Sequence, residues 1–440
     1  MVGITKMKAE KQKAEKEAFF CTTKELSRLG LEQIPTQFQS HKHLIYSSPA
    51  TLAFNSPGAE GFGVKRAGLA VPDSIMLIVA PGCCGRNTSL ISSMKEYNDR
   101  FYYLMMDETD IVTGRHLKKI PKAVEEICSV CPKKPSVVMI CITCVDALLG
   151  TDMERVCKKA EERVEIPVRP CYMYALTREG RKPPMVHVRQ SLYSLLEPGK
   201  KKGNVVNLLG FFSPLVDDCE IYDLLHSAGV KTIHEISRCK DYMEYQTMSE
   251  ANFNLVLHHE ARFAAEDFHN RLQIPFIELR RLYQIDKIEN QYHALGNALG
   301  VAFYDEKYKK QAEDALEKFR QKCPDASFAI GECLNADPFE LSLALIRCGF
   351  SVPEIYGTIT VENFTYIRSL AKISPETKVF SNMEPTMIYY DPAKSDVNLA
   401  IGKDACYYHP DCPYVMWNGE EQPYGYAGVR RLFEQLLEVV

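Results

Sequence analysis

Short apolar runs recur along the chain, each followed by a turn and then by a stretch whose apolar positions fall at helical spacing. IMLIVA (75–80), FYYLMM (101–106) and SVVMICIT (136–143) are the first three, and NVVNLLGFF (204–212), FNLVLHH (253–259), SFAIGEC (327–333) and PEIYGTI (353–359) continue the series. Between them lie helical patterns such as HLKKIPKAVEEICSVC (116–131), KYKKQAEDALEKFRQKC (307–323) and LSLALIRCGF (341–350), and GVRRLFEQLLEVV (428–440) closes the chain. Strands alternating with helices predict parallel sheets joined by crossover helices. The expected fold is α/β, with three Rossmann-like open parallel-sheet domains and the active cleft between them.

The same pattern sets the expected boundaries. Residues 1–45 read as a helical N-terminal extension, charged over 5–35. Residues 46–202 form a first α/β domain, completed by 411–440. The basic stretch GKKKGN (199–204) reads as a linker to a second domain over 203–305, and a third spans 306–410. Ligands of open α/β sheets sit outside the carboxyl ends of the strands. Chemistry is therefore sought in the loops after Ala80, Met106, Thr143 and Leu257.

A net charge of −4 gives no electrostatic case for nucleic acid or an anionic membrane surface. No window reaches the eighteen or so apolar residues of a membrane span. The opening MVGITKMKAEKQKAEKEAFF carries Lys and Glu where a secretory leader has an apolar core, so a cytoplasmic location is expected. There the 16 cysteines stay reduced, which makes them candidates for metal, cluster or redox work. Buried free cysteine is also a common small core residue, and most of them are expected to be that.

CSVC (128–131) and CITC (141–144) have zinc-ribbon spacing. The strand between them works against it, carrying Cys144 away from the first pair at about 3.3 Å per residue. Cys128, Cys131 and Cys141 are then packing residues. Cys84, in PGCCGRNTS (81–89), and Cys144, in ITCVDALLGTD (142–152), both follow strand ends on one edge. They read either as two ligands of an iron–sulfur cluster completed by a second subunit or as two buried loop thiols.

These loops resemble those of the nitrogenase component 1 family, which comprises the nitrogenase α- and β-type subunits, their cofactor-assembly scaffolds and related tetrapyrrole reductases. PGCCG resembles the family's second cluster-cysteine loop, with Cys84 on the ligand position. DETDIVTG (107–114) resembles its E-x-D-I-V-x-G stretch, TCVDALLGTD (143–152) its third cysteine loop with Cys144 as ligand, and IPVRPC (166–171) the strand that follows. QPYGYAG (422–428) is similar to its G-P-Y-H-G-Y loop.

The departures narrow what the resemblance implies. The first cluster cysteine should fall near Gly58, yet SPGAEGFGVKRAG (56–68) has none. Two cysteines per chain imply a [4Fe-4S] cluster shared across a subunit interface, with Cys83 as a possible third thiolate. The cysteine that holds the large nitrogenase cofactor falls near His258, and the histidine near 416–418, in PYVMWNGEEQPY (413–424). Neither ligand type is present there, so a larger iron–sulfur cofactor lacks its usual ligands.

His258 and His259 are the catalytic candidates, as a proton donor or an unusual ligand, against a capping or packing role. Glu260 and Arg262 read either as contacts for a polar substrate or as a solvated helix start, Arg280 and Arg281 as cavity residues or surface charge, Trp417 as a cavity wall or core, and His409 with Cys412 as a metal pair or a plain loop. Glu108 and Asp110 are expected to cap the helix that follows them. The resemblance implies a nitrogenase-like reductase subunit in a homo- or hetero-oligomer. It also implies an ATP-dependent iron–sulfur reductase partner that would pass electrons through the cluster to a substrate, and the lack of a P-loop in this chain is consistent with ATP chemistry in that partner. The alternatives are a scaffold for metal-cofactor assembly and a non-catalytic partner subunit.

Overall fold

The computed structural model describes residues 17–39, 63–82, 94–173 and 182–440. Two compact units emerge: Pro57–Leu316 with Gly419–Arg431, and Met1–Ser56 with Glu317–Asn418 and Leu432–Val440. The helical extension expected over 5–35 is, in its described part, a strand β1 (Phe20–Thr22), a short α-helix, Thr23–Leu29, and a 3-10 turn, Leu31–Gln33. Thr22 sets the boundary. Its Oγ1 accepts the Glu25 N–H while Glu25 Oε2 accepts the Thr22 N–H, a reciprocal cap that starts a helix only after the strand has ended.

The first sheet holds β2 (Ile75–Ala80), β3 (Phe101–Met105), β4 (Val138–Ile142) and β5 (Val168–Tyr172) in the order β3-β2-β4-β5, all parallel. Successive residues point to opposite faces. Met76, Ile78, Ala80, Met139 and Cys141 enter one core, while Ile75, Leu77, Val79, Val138 and Ile140 enter the other. Burial on both faces is why these strands read as unbroken apolar runs. The zinc-ribbon spacing is a coincidence of this packing. Cys141 sits inside β4 opposite Cys171, and Cys131 Sγ lies 3.2 Å from the Tyr102 hydroxyl.

The second sheet has β6 (Val205–Leu209), β7 (Thr232–His234), β8 (Phe253–Val256) and β9 (Phe276–Glu278) in the order β7-β6-β8-β9, again parallel. The third has β10 (Ser327–Ile330), β11 (Ser351–Tyr356), β12 (Lys378–Phe380), β13 (Leu399–Ile401) and β14 (Tyr414–Val415), ordered β1-β12-β11-β10-β13-β14. Only β1 runs antiparallel, with Cys21 opposite Val379. Among the described residues no helix is long and apolar enough to cross a membrane.

In each sheet the strand order reverses beside the first strand of the α/β series: between β2 and β4, between β6 and β8, and between β10 and β13. Loops diverge at such a reversal and open a crevice at the strands' carboxyl ends. Each of the three reversals carries chemically distinctive residues.

Candidate functional site

At the first reversal the two cysteine loops leave neighbouring strands. β2 and β4 run in register with Val79 opposite Ile142, so the chain departs from both at the same edge. Cys144 is the first residue of the helix Cys144–Leu148. Cys83 and Cys84 lie outside the described residues.

The surroundings of these loops are tightly held. The Tyr103 hydroxyl, on β3, reaches the carbonyl oxygens of Ala80 at 2.8 Å and Pro81 at 2.5 Å, where the CysCys loop leaves the sheet. Asp107 caps the helix Glu108–Thr113 through the Asp110 N–H, so the capping residue is Asp107 rather than Glu108. Asp110 accepts from Lys119 at 2.6 Å and Arg115 at 2.7 Å. Those two cations, Lys119 foremost, hold its carboxyl well below the usual carboxylate range.

Behind the second cysteine loop, His116 is buried with Nδ1 3.0 Å from the Asp110 carbonyl oxygen and Nε2 2.9 Å from Asp146 Oδ1. The imidazole thus bridges a backbone carbonyl and a buried carboxylate. Asp146 also accepts from the Thr151 hydroxyl at 3.0 Å. This network ties the first turn after Cys144 to the helix His116–Val130. No spacing rule in the sequence pairs His116 with Asp146.

The second reversal brings His258 and His259 to the ends of β6 and β8. Gly210 follows β6 with φ 141°, and its carbonyl oxygen accepts from Arg189 Nη2 at 2.6 Å and Nε at 3.0 Å. Arg189 also pairs with Glu260 at 2.8 Å, which makes Glu260 its counter-ion. Arg262 is likewise occupied, by a bidentate pair with Glu278 at 2.6 and 2.8 Å.

His258 Nδ1 accepts the Glu260 N–H at 3.4 Å. Its ring stacks on His259, centroids 4.5 Å apart, and meets Phe211 edge-on at 5.7 Å. Protein surrounds the ring, although 34% of the side-chain surface stays accessible. Burial, followed by the positive charges of Arg189, His259 and Arg281, pushes its pKa well below the usual imidazole value. His258 is therefore a reachable neutral imidazole at neutral pH.

At the third reversal, Asp404 accepts the N–H groups of Glu332 at 2.8 Å and Cys333 at 2.9 Å and the Asn382 amide at 2.5 Å. Glu332 in turn accepts the Thr358 N–H at 2.9 Å. Burial raises the pKa of both carboxyls, and the Asp404 charge raises that of Glu332 as well. Nearby, Trp417 is buried and holds φ 45°, which a bulky residue adopts only under constraint. The side chains of His409 and Cys412 take separate partners. His409 Nε2 lies 3.1 Å from Glu354 and 2.8 Å from the Tyr390 hydroxyl, while Cys412 donates to the Val397 carbonyl oxygen at 3.6 Å.

Sequence reasoning missed Arg189, Gly210, Glu332 and Asp404. Only Gly210 left a signal, a glycine directly ending a buried strand.

The description "nitrogenase component 1 type oxidoreductase" matches residues 60–440. The nitrogenase iron-molybdenum cofactor biosynthesis protein NifE of Sinorhizobium fredii is 25% identical over 418 residues, 89% of this chain and 82% of that protein. The protein of the same name from Nostoc sp. is 25% identical over 284 residues, 61% of this chain and 58% of that protein. The solved structure of nitrogenase Cp1 at pH 6.5 matches with a TM-score of 0.69 at 18% identity, covering 87% of this chain and 91% of that one, which shows a common fold. With the family match spanning all three sheets, the chain belongs to the nitrogenase component 1 type oxidoreductases.

Proposed function

We propose that this chain is one subunit of a heteromeric nitrogenase-like complex and serves as a scaffold on which a metal cofactor is built. Cys84 and Cys144 would supply this chain's share of a [4Fe-4S] cluster, with a related subunit supplying the rest and Cys83 as a reserve thiolate. The observation that carries the cluster assignment is the β2–β4 pairing, Val79 opposite Ile142, which sends both cysteine loops off one edge. An iron–sulfur cluster there would supply one-electron transfer. The chain's own residues fix its setting: Tyr103 restrains the first loop, and Asp146 with His116 braces the second.

The scaffold role draws support from the cofactor-biosynthesis relatives, aligned over 89% of the chain in one case. Donor chemistry favours it as well. The position of the large cofactor's thiolate falls near a neutral His258, so a carried cluster would be cargo rather than a permanently ligated group. His258 and His259 would face that cargo at the end of the second sheet. The three-domain division, with boundaries near 202 and 305, belongs to the same proposal.

The second reading is an electron relay from an ATP-dependent iron–sulfur reductase to a substrate, favoured by the same two-cysteine edge. One experiment separates the two. The chain is purified anaerobically with its co-purifying subunits, iron and sulfide are counted, and the complex is mixed with a cofactor-free acceptor protein. Transfer of a cluster larger than four irons supports the scaffold. Reductase-dependent turnover without transfer supports the relay. Cys84→Ala and Cys144→Ala should each lower bound iron; full iron in both variants overturns the ligand assignment.

A further inference from the structure

The carboxyl end of the second sheet contains a cation that the fold leaves uncompensated. Arg281 lies just past β9. Its guanidinium stands 4.4 Å from the centroid of the Phe211 ring, and Nη2 donates to Gln422 Oε1 at 2.6 Å. Its Nε is buried without a hydrogen-bond partner. Among the described residues no carboxylate pairs with Arg281, although its neighbours Arg189 and Arg262 each have one, in Glu260 and Glu278. A guanidinium held by a ring face and one amide keeps most of its charge unanswered, and such a site attracts anions.

His258 packs on the same Phe211 ring. Its Nδ1 lone pair is engaged by the Glu260 N–H, so the proton of the neutral ring resides on Nε2. That tautomer offers a hydrogen-bond donor rather than a lone pair for a metal. We propose that Arg281 and His258 form an oxyanion site that takes a small carboxylate or phosphate group. Guanidinium N–H groups match the paired oxygens of both anions, and a neutral Nε2–H adds a donor without adding charge. The accessible part of His258 and the exposed His259 leave an approach from solvent. Neither Arg281 nor His258 belongs to the cysteine loops, so the site stands or falls apart from the cluster assignment.

The test is calorimetric titration of the full-length protein with inorganic phosphate and, separately, with malonate. Saturable binding of at least one is expected, and which one binds distinguishes a phosphate from a carboxylate ligand. Arg281→Gln should weaken it by about tenfold or more, the loss of one charge-assisted hydrogen bond, whereas Arg280→Gln, at an exposed neighbour, should bind as the wild type does. In the unaltered protein, the bound anion should also slow modification of His258 by diethyl pyrocarbonate, read by mass spectrometry against the exposed His226. The proposal is overturned if neither anion binds saturably, if Arg281→Gln binds as the wild type does, or if His258 reacts equally fast with and without the anion. The last arm decides the matter should Arg281→Gln fail to fold.

Discussion

A Cβ atom on Gly210 would stand 2.8 Å from the amide nitrogen of His258 and 2.9 Å from its Cβ. The ends of β6 and β8 thus approach closely enough at the second reversal that only glycine fits between them, at a φ of 141° that side chains rarely adopt. The same glycine carbonyl oxygen anchors Arg189, whose charge helps keep His258 neutral.

Gly210→Ala should therefore act on the histidine as well as on stability. Crowding at such a contact costs about 1–3 kcal/mol, measurable as a lower urea midpoint. The His258 ring should also move away from Arg189 and titrate closer to the ordinary imidazole value, visible by NMR. A variant with an unchanged His258 titration would show that the close approach does not set the ring's environment.

The family-like loop QPYGYAG has a physical reason of the same kind. Glu220 is buried, and its carboxylate accepts the N–H groups of Tyr426 at 2.6 Å and Ala427 at 3.0 Å and the Tyr292 hydroxyl at 2.6 Å. This fixes the start of the helix Gly425–Val439, and a Cβ on Gly425 would lie 1.8 Å from Glu220 Oε1. Glu220→Gln places an amide donor against these donors and should cost about 1–3 kcal/mol.

Burial raises the Glu220 pKa. Its contribution to stability is then full below the unfolded value of about 4.3 and declines as pH rises through the folded value. The deficit of Glu220→Gln relative to the wild type should accordingly shrink between pH 5 and pH 8 in thermal melts. A deficit that grows over that range would contradict the assignment.

Much of the strand content was legible because strands buried on both faces leave unbroken apolar runs. IMLIVA and SVVMICIT mark β2 and β4 to within two residues. The reversals were not legible, since strand order depends on which helix crosses which face, and no local pattern encodes that. β1 was hidden for another reason: its pairing partner, β12, lies far along the chain, and three residues next to a charged helix carry no periodicity. At the second site the histidines were visible as a pair after a strand. Of the partners that decide their chemistry, Arg281 reads in the sequence either as a cavity residue or as surface charge, and Arg189, in an unrelated segment, carries no mark of its role.

Asp110 offers a pH test of opposite sign to Glu220. Lys119 and Arg115 depress its pKa, so its contribution is fully present above the unfolded value of about 3.9 and is lost as pH falls through the depressed folded value. Asp110→Asn should lower the urea midpoint at pH 7, and the difference from the wild type should narrow as the pH is brought to 3. A constant difference across that range would mean that the carboxylate charge is not what holds the Asp107–Asp110 turn.

Tyr103 provides the sharpest probe of the cysteine edge, because it touches the loop's origin without being a ligand. One hydroxyl proton is shared between the Ala80 and Pro81 carbonyl oxygens, so the loop's first residues are restrained by a bond that β3 supplies. Tyr103→Phe deletes only this oxygen, at a cost to stability of about 1 kcal/mol. If the loop carries a cluster ligand at Cys84, releasing its base should lower the iron retained per chain after anaerobic gel filtration and broaden the reduced-cluster paramagnetic signal, with the circular dichroism spectrum unchanged. A Tyr103→Phe protein with full iron and an unaltered signal would mean that the geometry of the β2 exit does not govern the cluster. The ligand assignment would then rest on the Cys84→Ala and Cys144→Ala variants alone.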